Sequence, residues 1–390
     1  MAKKKVQKPA IQPAMTKKQM SRWQKEKRQE RLAIIFVVAV VALIVVVLGA
    51  GYYQENLAKP NAAFAKVNGV SLPASSWVNA MVLQYRNLEQ QADYWQTQLA
   101  LMGGDDETTA YYRSIIEQQQ EQVVQAQQGL IYTVPDELMA AELIRQETEK
   151  RGLAVTQADI DALLIQYFTP EPQEPVTDTT STTPTPTPLP ADAWKTNYKN
   201  FLTGLGATEA EYKEIALVPG IRREKLQIAL SETVPVSGEQ IRVSHIVTDT
   251  SDAANAILAR VQAGEDFAAL AKELSGDTGS AEIGGDLGWY PRGLLADEFS
   301  DAFEAAVWSL TNGAVATSTV QTYYGYHVVK RTDSSADRPY DSDKRALLQS
   351  TALDKWLTEQ MASPAVERFQ DSDKLLWVQA QVTKRLSASK

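Results

Sequence analysis

From Leu32 to Gly51 the chain reads LAIIFVVAVVALIVVVLGAG, twenty residues without a charge. At about 1.5 Å of rise per residue, such a run is long enough as a helix to cross a hydrocarbon layer of roughly 30 Å. Tyr52 and Tyr53 follow it, where interfacial aromatic rings are common. Ahead of it, residues 1–31 hold eleven Lys and Arg against Glu26 and Glu30, so an arm of net +9 precedes a body of net −18. The positive-inside rule therefore predicts a single-pass protein of the cell membrane. Residues 1–31 form a basic cytoplasmic arm, 32–53 the anchor, and everything after Tyr53 an extracytoplasmic body. A cleaved signal with a cut near Gly49-Ala50-Gly51 is the competing reading, although its apolar core usually runs to about 7–15 residues. Topology and anionic headgroups account for the basic arm without a nucleic-acid partner.

The chain has no cysteine, which removes disulfides, thiolate catalysis, thiolate zinc sites and a lipid-modified cysteine anchor. Its two histidines, His245 and His327, are too few for a histidine-rich metal site. Neither metal nor cofactor is expected.

Beyond the anchor, AKVNGV at 65–70 reads as a strand and turn with Asn68-Gly69 at the tip. Apolar residues at spacings of three and four then predict helices over 77–101 and 112–131. A third helix is expected to start at Pro135 and to end at Gly152, and a fourth to span 156–167 with Thr156 as its cap. Residues 169–190 interrupt this pattern: 16 of the 22 are Pro, Thr or Ser, a composition that reads as an extended insertion. Helical periodicity resumes over 193–205, 209–230 and 342–390. The texture differs only in residues 241–331. There, IRVSHIV is a short β-rich run, helices are expected over 251–261 and 268–274, a glycine-rich stretch spans 276–293, and strand candidates occupy 315–320 and 326–330. The fold class is α+β. The domains are a helical one over 60–238 that includes the 169–190 insertion, a compact α+β unit over 239–333, and helices over 334–390 that return to the helical domain.

Four ordered blocks in that unit carry a resemblance. They are SHIV at 244–247, GEDFAALAKELSGD at 264–277, GGDLGWYPRG at 284–293 and TYYGYHVVK at 322–330. Together they resemble the signature blocks of the parvulin family of peptidyl-prolyl cis-trans isomerases, over roughly 241–332. AKVNGV with the helices after it, and ELIRQETEKRGLAVTQADID at 142–161, resemble the chaperone region of extracytoplasmic foldases of the PrsA, PpiD and SurA kind. The resemblance implies a SurA-like helical chaperone domain, a parvulin-like domain with a small antiparallel sheet flanked by helices, and unfolded exported polypeptides as partners.

The reaction it implies crosses a barrier of about 18–20 kcal/mol set by amide resonance, and breaks no bond. A catalyst needs an apolar seat for the proline ring and an environment that favours the twisted imide, not a nucleophile. By the family pattern His245 and His327 meet across adjacent strands as a hydrogen-bonded pair, and Asp277 stands beside the rotating carbonyl. The residue-level alternative for Asp277 is a turn residue. For the proline pocket the family pattern offers Leu287, Tyr290, Leu295, a phenylalanine, Trp308 and Tyr324; Trp308 reads equally as core. Its floor is Phe299 or Phe303, because the stretch from Arg292-Gly293 to Trp308 is four residues longer than is usual, and the RG spacing favours Phe299. Asp286 reads as structural, bonding turn amides. The resemblance thus implies a membrane-anchored isomerase that assists the folding of exported proteins. The alternative is a holdase chaperone with a weakly active or inactive parvulin module.

Overall fold

Leu32–Gly51 lies within one helix, Lys17–Tyr53, in a computed structural model that describes residues 17–102, 107–169 and 192–388. The whole apolar run is exposed on that helix, which is long and apolar enough to cross a membrane. Most of the basic arm and nearly all of the Pro/Thr-rich insertion lie outside the described residues.

The chain divides into two compact units. One holds the N-terminal residues through Ala65, Ser71–Val82 and the stretch from Arg368 onward. Its core joins Phe64 and Trp77, both fully buried with ring centroids 5.3 Å apart. The C-terminal helix Ser372–Ser387 belongs to the same unit, where Trp377 donates to Glu55 at 3.1 Å.

The other unit takes Lys66–Val70 and Leu83–Glu367. The strands Ala63–Val67 (β1) and Val70–Pro73 (β2) turn through Asn68 and Gly69, both at positive φ, as the Asn-Gly pair predicts. The expected helices over 112–131 and from Pro135 are one continuous helix, Glu107–Lys150, with Pro135 inside it. An interior proline costs about 3 kcal/mol, and burial of Ile131, Val134 and Met139 around it offsets that cost. Gly152 at φ +70 ends the helix, with Leu153 N–H donating back to the Thr148 carbonyl. Thr156 and Asp159 form a capping box for Gln157–Phe168. The helix Val218–Thr233 packs beside Glu107–Lys150 and carries Ser342–Ser350 and Ala352–Met361 on its flank. Gln227 Nε2 donates to the Gln349 carbonyl at 2.7 Å and Arg223 pairs with Asp354 at 2.7 Å.

Four antiparallel strands form the sheet of the α+β portion: Ser237–Thr248 (β3), Asp286–Pro291 (β4), Val320–Thr322 (β5) and Gly325–Pro339 (β6), in the order β4-β3-β6-β5. Both faces of the sheet are covered. Ile246 and Val328 pack against the helices Ser251–Gln262 and Phe267–Leu274. Ile241, Val243 and Val329 point the other way, into a cluster with Phe303, Leu294 and Leu295. β6 runs well beyond the strand expected over 326–330, because its polar second half, Thr332–Pro339, still finds ladder partners at the start of β3, ending with Ser237 opposite Pro339. Of the strand expected over 315–320, Val315 joins the sheet by an isolated bridge to Lys330 and packs against the Ile246 and Val328 cluster, while β5 starts at Val320.

Candidate functional site

In the β3–β6 ladder His245 lies opposite Val329 and His327 opposite Val247. Side chains alternate faces along a strand, so both histidines project from the same face as diagonal neighbours. Their Nδ1 atoms are 3.1 Å apart, and the two side chains are 3% and 0% exposed. The loop that supplies Asp277 is held against β3, as Gly276 N–H donates to the Val247 carbonyl at 2.7 Å. Gly285 is indispensable to this approach. It sits at φ +78, His245 N–H donates to its carbonyl at 2.8 Å, and a Cβ there would stand 2.1 Å from the His245 carbonyl oxygen.

The hydrogen-bond partners set the tautomers. Ionised Asp277 can only accept, so His245 Nε2–H donates to its Oδ2 at 2.9 Å. Neutral His245 then offers Nδ1 as an acceptor, and His327 Nδ1–H donates to it. His327 Nε2 is left to accept the Thr322 hydroxyl at 2.7 Å, while Thr322 Oγ1 accepts Tyr324 N–H at 3.0 Å. One directed chain runs from Thr322 through both rings to Asp277, with every ring nitrogen satisfied and both imidazoles neutral. A proton added at His245 Nδ1 would face the His327 N–H.

The titration behaviour follows from the same geometry. Burial, reinforced by the neighbouring His245, depresses His327 to about 4 against a weaker pull from Asp277. Burial also lowers His245, with Asp277 opposing. For Asp277 burial acts upward, but the Ser280 hydroxyl, His245 and Gly279 N–H outweigh it and hold the carboxyl down to about 2.

The three residues border a cleft of about 380 Å³, which also takes in Leu287, Phe299 and Tyr324. Phe299 stacks on Phe303 with centroids 4.4 Å apart and an angle of 16°, and its ring meets His245 and His327 edge to face at 5.7 and 5.8 Å. Four of the expected pocket residues lie elsewhere. Phe303 is fully buried beneath Phe299, and Leu295 is fully buried in the same cluster. Tyr290 is buried with its hydroxyl donating to Glu298 at 2.9 Å. Trp308 packs against that core with the Arg292 guanidinium 4.0 Å above its ring, and it does not border the cleft. A break at Phe299–Ser300 separates the helices Leu294–Glu298 and Asp301–Trp308, and Phe299, at that break, borders the cleft.

Thr322, Ser280, Glu298 and Glu304 escaped the sequence reading. Ser280 follows Asp277 by three residues, in the short helix Thr278–Ala281 that Asp277 caps, a spacing that could have revealed it. Glu304 is 8% exposed and accepts the N–H groups of Gly293 and Ala296, which fixes the start of the helix before Phe299. Asp286 accepts Gly288 N–H at 3.0 Å and pairs with Arg242, a structural role. Among the described residues no cluster of His, Asp and Glu could hold a metal.

Residues 228–335 match the family model for the PPIC-type PPIASE domain, so the four-stranded portion is a parvulin-type peptidyl-prolyl isomerase domain. Over a longer stretch the chain is similar to proteins named Foldase protein PrsA. That of Caldanaerobacter subterraneus subsp. tengcongensis is 30% identical over 222 residues, 57% of this chain and 63% of the relative. That of Geobacillus sp. (strain WCH70) is 42% identical over 108 residues, 28% of this chain and 37% of the relative. The chain thus spans less than two thirds of the length of these relatives. A crystal structure of peptidylprolyl isomerase PrsA from Bacillus anthracis aligns over 64% of this chain and 95% of its own at 23% identity, with a TM-score of 0.30.

Proposed function

We propose that the protein is a membrane-anchored peptidyl-prolyl isomerase that rotates X–Pro bonds in unfolded exported polypeptides. The observation that carries this reading is the neutral histidine pair, oriented from Asp277 and set edge-on to Phe299 at the base of an open cleft. Phe299 and Leu287 offer the proline ring an apolar seat. The buried histidine network supplies a fixed, preorganised polar wall, which favours the twisted imide over the planar one. No nucleophile or proton transfer is needed. In the same reading the exposed apolar helix spans the membrane with residues 1–31 on the cytoplasmic side, and the helical region over 60–238 with 334–390 is a domain that holds clients. A groove of about 410 Å³ between Tyr167, Tyr212, Leu217 and Leu353 supports that second role.

The test is the cis-to-trans rate of a short Ala-Leu-Pro-type peptide with the full chain in detergent. His245→Ala, Asp277→Ala and Phe299→Ala are each expected to lower kcat/KM at least tenfold, about 1.4 kcal/mol of transition-state stabilisation. A folded wild-type protein that gives no acceleration would overturn the isomerase reading and leave the holdase.

A further inference from the structure

Among the described residues, every charged side chain that borders the cleft is acidic: Asp249, Asp277 and Glu298. Asp277 is engaged by His245, Ser280 and Gly279, which leaves Asp249 and Glu298 to meet a bound chain. Glu298 is exposed toward solvent yet positioned, because the buried Tyr290 hydroxyl fixes its Oε2 at 2.9 Å. Lys344, which feels the charge of Glu298, is not among the residues that border the cleft. Its ammonium lies 3.8 Å over the Tyr290 ring and bonds the Trp289 carbonyl. Beside the two carboxylates stands Tyr324, 60% exposed, its backbone N–H held by Thr322 and its ring edge-on to Phe299 at 6.0 Å. Two carboxylates and a largely exposed phenol ring are a receptor for a guanidinium or ammonium group, through charge pairing and cation–π attraction together.

We propose that the cleft selects X–Pro bonds flanked by arginine or lysine, with Glu298, Asp249 and Tyr324 as the specificity-determining residues. The proposal rests on the isomerase reading and deepens it. Selection works in both directions, since the same carboxylates repel an acidic or phosphorylated neighbour of the proline. Each contact of this partly exposed kind changes a ratio by about 1.5- to 5-fold. Two of them, attractive for Arg and repulsive for Glu, give an Arg-to-Glu preference of about tenfold at low salt, fading as ionic strength rises.

The experiment compares kcat/KM of the full chain in detergent on tetrapeptides Ala-Xaa-Pro-Phe with Xaa as Arg, Leu or Glu. It uses wild type, Glu298→Gln/Asp249→Asn and Tyr324→Leu, each at low and high salt. The expected result is a wild-type order Arg over Leu over Glu, with the Arg-to-Glu ratio falling below about threefold in the double variant and declining with salt. Equal rates on all three peptides by an active wild type would overturn the specificity and leave the isomerase standing. An Arg preference that survives unchanged in the double variant would overturn the assignment to these carboxylates. Acceleration of none of the peptides would remove both.

Discussion

The histidine pair should make the stability of the isomerase domain fall with acid in a window set by the histidines. A His327 that titrates near 4 when folded and at 6.5 when unfolded binds fewer protons in the native state between those values. The unfolded chain is therefore favoured as protons are added. The contribution is complete above about pH 6.5 and is lost progressively as pH falls toward 4. At about 1.4 kcal/mol per pH unit it amounts to about 3 kcal/mol, with His245 acting in the same direction. Asp277 does not confuse the window. Its folded value near 2 lies below its ordinary 3.8, so its contribution is lost only in that lower range. Because the chain contains only His245 and His327, selectively labelled histidine gives two ring signals, and one substitution assigns both. The full chain in detergent should show the His327 ring neutral at pH 5, and the His245 ring titrating below its ordinary value because it is buried. Amide exchange in β3 and β6 should report a loss of about 2–3 kcal/mol in protection between pH 7 and 4.5. A ring that titrates at 6.5 or above in the folded protein would refute the burial argument and the directed hydrogen-bond chain with it.

Gly285→Ala should separate β4 from β3 at His245, because the new Cβ cannot sit 2.1 Å from a carbonyl oxygen at a backbone angle that already disfavours alanine. Isomerase activity is expected to drop at least tenfold together with protection of the His245 amide, and a variant with wild-type activity would contradict the placement. Glu304→Ala leaves the N–H groups of Gly293 and Ala296 without their acceptor and should cost about 2–4 kcal/mol in chemical denaturation. A change under about 0.5 kcal/mol would show that water replaces the carboxylate at no cost.

What the sequence made legible was whatever a local pattern encodes. The Asn68-Gly69 turn, the Thr156 cap and the end at Gly152 are signals a few residues long, and each forms in place. Pro135 shows the limit. A proline in the first turn and a proline inside a long helix leave the same trace in one sequence, and only burial of Ile131, Val134 and Met139 decides between them. The polar half of β6 was illegible for a related reason: Thr332–Pro339 lacks apolar alternation and is a strand only because β3 lies beside it. In the site, the histidines and Asp277 stand in recognisable blocks. Their supports, Thr322, Ser280 and Glu304, are ordinary polar residues whose partners lie in other segments or across a turn. Phe299 and Phe303 could be ranked by spacing, yet the structure makes them a stack whose upper ring faces the cleft and whose lower ring is core.

The long β3–β6 ladder also governs how the isomerase portion is attached. Chain entry at Ser237 and chain exit at Pro339 are ladder partners, and Tyr340 N–H donates to the Val236 carbonyl just beyond them. Gln240 stitches the pair again through its amide to the Arg338 and Pro339 carbonyls. A module joined by a single flexible strand swivels freely. One joined by a paired ribbon resists twisting, so motion of the four-stranded portion is passed to the helices at its base. The same paired junction lets the module be gained or lost by one genetic insertion or deletion, since the host chain sees two ends already side by side.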